Sequence, residues 1–132
     1  MKASIILAAL ALTACGSGKP ALDPNTPLAA LKGNAAQGQR AFAACSYCHG
    51  VIPGARSIGP TLHGVVGRQA GSVSDFVYSA AMKGHGQAWS REHLYAFLLN
   101  PQAVVPGTRM GYGGLRDPQA RADVIAYLET LK

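Results

Sequence analysis

The run Ala44-Cys45-Ser46-Tyr47-Cys48-His49-Gly50 constrains this chain most, because it sets two thiols and an imidazole almost side by side. Three chemistries compete for such a cluster: a redox dithiol or disulfide, a zinc site, and covalent attachment of haem. A redox dithiol usually accompanies a βαβ pattern, which is missing here, and it leaves His49 without a task. Zinc needs two further ligands. His63, His85 and His93 are available, but no second cysteine pair stands at structural-zinc spacing. Haem attachment uses every special residue: Cys45 and Cys48 add across the vinyl groups as thioethers, and the adjacent His49 reaches the iron.

The surrounding pattern is helical. From Asn34, an N-cap, the residues Gly38, Ala41, Phe42 and Cys45 recur at helical spacing and predict a first helix running into the cysteine run. Gly38 on that face leaves room for a second helix. Its expected partner starts at Asp117-Pro118 and carries Val124, Tyr127, Leu128 and Leu131 as a stripe with i, i+3, i+4, i+7 spacing. A third helix is predicted between Ser90 and Asn100, with Leu94, Phe97 and Leu98 on one face and Pro101 ending it. A shorter one is predicted from Asp75 to Lys83, opened by Ser74 and closed by Gly84. Gly50 to Gly71 and Pro101 to Gly114 are rich in Gly and Pro, and no strand-like alternation or internal repeat appears. The expected fold class is therefore all-α, with three main helices, short ones, and long loops. A chain of 132 residues with 16 glycines buries a modest core, so its loops need an internal group to wrap around.

If His49 binds one side of the iron, the other side decides the chemistry. An open position permits oxygen or peroxide reactions, whereas a second protein ligand makes an electron carrier. Met82 lies in an apolar helical run and reads as core, while His63, His85 and His93 read as solvated or structural. Met110 stands in Pro106-Gly107-Thr108-Arg109-Met110-Gly111, where turn formers make a packing role hard to argue. It is the expected second ligand, and a His–Met pair raises the potential.

Met1 and Lys2 precede the apolar run Ile5 to Leu12, too short to span a bilayer but suited to an export signal. The following Leu12-Thr13-Ala14-Cys15 resembles the lipobox of bacterial lipoproteins. That resemblance implies a signal peptide over 1–14, a diacylated Cys15, and a protein tethered to a membrane on the periplasmic side. The bland alternative is an ordinary signal with an incidental cysteine. Residues 15–33, with Pro20, Pro24 and Pro27 and few large apolar groups, read as lipidated terminus and flexible linker, and 34–132 as the domain. A net charge of +6 favours an acidic partner, and the scattered basic residues give nucleic-acid binding no support.

The stretch from Gly33 to Lys132 resembles class I cytochrome c, of the mitochondrial-like branch. Beyond Cys45-Ser46-Tyr47-Cys48-His49 the resemblance rests on Gly59-Pro60-Thr61-Leu62-His63-Gly64-Val65-Val66-Gly67-Arg68, Tyr78-Ser79-Ala80-Ala81-Met82-Lys83, Trp89, Pro106-Gly107-Thr108-Arg109-Met110, and Arg121-Ala122-Asp123-Val124-Ile125-Ala126-Tyr127-Leu128, in that order. It implies one haem c, with His49 and Met110 on the iron, and a Pro60 carbonyl that accepts from the unligated nitrogen of His49. It also implies that Arg68, Tyr78, Ser79 and Trp89 receive the haem propionates, whose burial would otherwise be costly. Gly38, Phe42, Val124 and Tyr127 correspond to the crossing of the terminal helices, and Leu62, Leu94, Phe97 and Leu98 to the seal against water. Two positions depart from the family pattern: Phe97 stands where a tyrosine is usual, and Met82 where an asparagine is common. The implied function is one-electron transfer, without catalysis or a small-molecule substrate, between membrane redox complexes. These are quinol:cytochrome c reductase, a terminal oxidase, a photosynthetic reaction centre or a dehydrogenase, with Arg109, Lys83 and Arg40 as a basic docking rim. The rivals are a gas- or peroxide-binding protein in which Met110 is displaced, and a permanently docked subunit.

Overall fold

The computed structural model describes residues 21–132. The expected signal segment and Cys15 lie outside them. Helix α1 spans Ala35–Ala41 and tightens into a 3-10 turn, Phe42–Ala44, which delivers the chain to Cys45. Helices α2 (Ala80–Gly84), α3 (Arg91–Leu99), α4 (Pro101–Val104) and α5 (Pro118–Leu128) follow. No strand occurs among the described residues, whose only extended pairing is the isolated bridge between Gln69 and Ala88. The all-α expectation holds, and no helix described is long and apolar enough to cross a membrane.

Each helix starts where a side chain satisfies otherwise unpaired N–H groups. Asn34 accepts from the Gln37 amide at 3.1 Å, Ser90 from the His93 amide at 3.1 Å, and Asp117 from the Gln119 amide at 2.9 Å. Two expected boundaries move. Helix α2 begins at Ala80 rather than Asp75, because Ser79 and not Ser74 is the cap, accepting from the Met82 amide at 3.1 Å. Residues 75–79 run irregularly instead, and Phe76 and Tyr78, two apart, meet edge to face with ring centroids 4.8 Å apart. Pro101 ends α3 as expected but also opens α4: Asn100 closes the first helix and caps the second, accepting from the Ala103 amide at 3.1 Å.

Helices α1 and α5 cross at Gly38, where an added Cβ would collide with the Asp123 carbonyl and come within 2.9 Å of Tyr127 Cβ. The missing side chain is what lets the two backbones touch. The crossing is completed by Phe42 against Tyr127, centroids 5.3 Å apart, and by the Asn34 amide donating to Asp123 at 2.8 Å. Val124, Ile125 and Leu128 of α5 meet Leu94, Phe97 and Leu98 of α3 in one buried cluster. Each such side chain contributes roughly 1.5–3 kcal/mol by leaving water.

The linker expectation needs correction from residue 23 onward. Leu28 is buried within a short 3-10 turn, Leu28–Ala30, and Gly33 lies against the Ala122 carbonyl of α5. Three side chains of the domain grip the segment by its carbonyls: Tyr95 donates to Thr26 at 2.7 Å, Arg121 to Pro24 at 2.5 Å, and Gln119 to Lys32 at 2.9 Å. These residues form a strap on the domain, because α3 and α5 present donors to a backbone that would otherwise be free.

Candidate haem site

The long loops and the inner faces of α3 and α5 enclose a cavity of about 750 Å³. Cys45, Cys48 and His49 stand on its wall because α1 and its 3-10 turn end there; Met110 joins them from the loop after α4. Pro60, Arg68, Tyr78, Ser79 and Trp89 line the same space, so every domain residue expected at the site is brought together. Most of the wall is apolar, including Leu62, Leu94, Phe97 and Leu98 as expected. Met82 and Phe97, the two departures from the family pattern, are both buried and keep their part of the wall free of polar groups.

His49 is fixed in one tautomer. Its Nδ1 lies 2.7 Å from the Pro60 carbonyl, which can only accept, so Nδ1 carries the hydrogen and Nε2 keeps its lone pair. Burial lowers the imidazole pKa from its ordinary value, and the bond to Pro60 pulls weakly the other way. The ring therefore tends to stay neutral, as a metal ligand must. Gly59 packs against the same edge of the ring: a Cβ there would lie 2.5 Å from His49 Cε1 and 2.7 Å from Nδ1. Burial raises the Cys45 thiol pKa, and the neighbouring Cys48 adds to this.

The Met110 loop is locked by side chains that the sequence reading passed over. Gln102 of α4 bridges it with both ends of its amide, donating to the Thr108 carbonyl at 2.8 Å and accepting from the Gly107 amide at 3.2 Å. Thr108, itself buried, accepts from the Met110 amide at 3.3 Å. Arg109, expected as a free docking cation, is exposed but donates to the Val77 carbonyl, which ties this loop to residues 75–79. Lys83 and Arg40 are exposed as expected.

One group of lining residues is polar. Arg68 donates to the carbonyls of Thr61 and His63, each at 2.7 Å, and its backbone carbonyl accepts from the Trp89 amide at 2.9 Å. Thr61 is held in turn by donating to the Ile52 carbonyl at 2.8 Å. Burial works against the Arg68 charge, whereas Tyr78 close by favours it. No Asp or Glu is among the lining residues. Thiols, imidazole and thioether suit a soft transition metal, and an apolar space ending in an arginine without a carboxylate suits a flat apolar group with acidic substituents. The residues present fit haem.

Comparison with known proteins agrees. The family model for cytochrome c matches residues 35–132. Cytochrome c2 of Rhodopila globiformis is 46% identical over 101 residues, covering 76% of this chain and 95% of that protein. Cytochrome c of Nigella damascena is 44% identical over 99 residues, 74% of this chain and 89% of that one. Among solved structures, cytochrome cH from Methylobacterium extorquens superposes with a TM-score of 0.71 at 42% identity, across 74% of this chain and 99% of that one. A cavity with this donor set and a match over the whole domain lead to one conclusion: the chain belongs to the cytochrome c family, an electron carrier rather than an enzyme, with a single haem c bound covalently through Cys45 and Cys48.

Proposed function

We propose that His49 and Met110 would both ligate the haem iron, and that the protein carries single electrons between membrane redox complexes while tethered by a lipid on Cys15 at the periplasmic side of a bacterial membrane. The observation that carries the ligand assignment is His49 itself. Its Nδ1 is committed to Pro60 at 2.7 Å, and it shares one cavity with a single exposed-loop thioether, Met110. When bound, the haem supplies an iron centre that gains and loses one electron. The residues around it make that exchange easy. The Pro60 carbonyl increases the donor strength of His49, and Gln102 with Thr108 keeps Met110 in place, so the ligand set is the same before and after transfer. Leu62, Leu94, Phe97 and Leu98 exclude water and thereby disfavour the extra positive charge of the oxidised state. Arg68, Tyr78, Ser79 and Trp89 receive the propionates, and relief of the buried Arg68 charge supports this pairing. The partners are a quinol:cytochrome c reductase, terminal oxidase, reaction centre or dehydrogenase, whose acidic faces would suit a chain of net charge +6.

The near-infrared sulfur-to-iron band of the oxidised protein tests the ligand assignment. It is expected in the wild type and absent from Met110→Ala; a band that survives the substitution would assign the sulfur elsewhere. The anchor is tested by Cys15→Ser, which should move the protein from the membrane fraction to the soluble one. Unchanged membrane retention would contradict lipidation at Cys15.

A further inference from the structure

Two of the histidines set aside as haem ligands meet one another. His85 Nε2 lies 2.9 Å from His93 Nε2, with ring centroids 4.8 Å apart. His85 caps the C-terminus of α2, and His93 stands in the first turn of α3. The bend between them is held from outside: Ala70 donates to the Gln87 carbonyl at 2.9 Å, Trp89 donates to the Arg68 carbonyl at 2.9 Å, and Gly86 supplies the turn with φ +70°. Both rings rest on Trp89, at centroid distances of 5.8 Å for His85 and 4.8 Å for His93. His93 Nδ1 lies 3.2 Å from the Ala88 carbonyl, so it carries the hydrogen, and His93 Nε2 turns a lone pair toward His85. Neither histidine lines the haem cavity.

We propose that His85 and His93 form a surface chelate for a divalent transition-metal ion, with Cu2+ the best match. Two nitrogens bound at right angles, each about 2.0 Å from an ion, stand about 2.8 Å apart, whereas tetrahedral binding needs about 3.3 Å. The observed 2.9 Å lies near the first value, the neighbouring positions of a tetragonal ion. Imidazole is a favoured donor for Cu2+, which also heads the divalent affinity series. The Ala88 carbonyl serves as the outer partner that fixes the His93 tautomer and orients its ring. On binding, the metal takes the place of the hydrogen shared between the rings, which moves to His85 Nδ1, and water completes the coordination.

The test is titration of the oxidised holoprotein with Cu2+ at neutral pH, followed by electron paramagnetic resonance and by thermal unfolding. The expected result is one bound ion with two imidazole nitrogens and an unfolding temperature that rises with Cu2+ concentration. His85→Gln and His93→Gln should each weaken binding at least about tenfold, since one-point attachment loses the chelate advantage. His63→Gln should leave it unchanged. Binding that persists in both single variants, a spectrum with one nitrogen, or equal loss in His63→Gln would each overturn the assignment.

Discussion

His49 is gripped along its Nδ1–Cε1 edge, and the grip leaves no room for a methyl group on Gly59. The Pro60 carbonyl holds Nδ1 at 2.7 Å while the Gly59 backbone stands so close that a Cβ would come within 2.5 Å of Cε1 and 2.7 Å of Nδ1. Gly59→Ala must therefore push the ring off its bond or the 59–60 backbone off the ring. Overpacking of this kind costs about 1–3 kcal/mol. Denaturant unfolding of the holoprotein should show a loss in that range, and an unchanged midpoint would mean that the ring is free to move. At this scale the sequence is legible where function needs a rare chemical group at short spacing. Cys45, Cys48 and His49 speak through proximity, and the place of Met110 on the cavity wall through its company of turn formers. The contacts of Gly59, Thr61 and Gln102 are not legible, because they exist only after folding. A glycine pressed on a ring looks like any loop glycine, and the Gln102 amide bridges Gly107 and Thr108 only because α4 turns it toward them.

Among the elements, helix starts were legible at Asn34, Ser90 and Asp117, where one polar side chain stands before an apolar stripe, but not at Asn100, whose helix α4 is a single turn. Ser74 and Ser79 offer two caps for one helix, and the choice fell to Ser79 because residues 75–79 tie to the cavity and to Arg109. The strap was illegible for a different reason. Its strongest holder, Arg121, is fully buried and lies 97 positions from the Pro24 carbonyl that it binds. That guanidinium also donates to the carbonyls of Leu115 and Arg116 and stacks on the Tyr95 ring, 4.3 Å from its centroid. One buried cation thus joins strap, α3 and α5 without a carboxylate, its charge met by carbonyl dipoles and an aromatic face. Tyr95→Phe removes the bond to Thr26 while keeping the ring beneath Arg121. It should cost about 1 kcal/mol in global stability and make the strap more open to limited proteolysis. Equal cleavage rates in wild type and variant would show that Tyr95 does not hold the strap.

For the whole molecule the size of the cavity decides what the core is. A space of some 750 Å³ lined mostly by apolar side chains leaves those side chains without packing partners across it, so the core is completed only by a group that fills the space. The prosthetic group and the fold therefore stabilise one another, which explains how segments so rich in glycine and proline settle into one conformation. On the proposed ligand assignment, a metal held by both His49 and Met110 would pass electrons without offering an open position to a reactant. Carbon monoxide uptake by the reduced protein at neutral pH measures this most directly. The wild type should remain largely unreacted over the time in which Met110→Ala saturates, because the thioether must leave before the gas can bind. Equal rates in the two proteins would contradict a closed, doubly ligated iron.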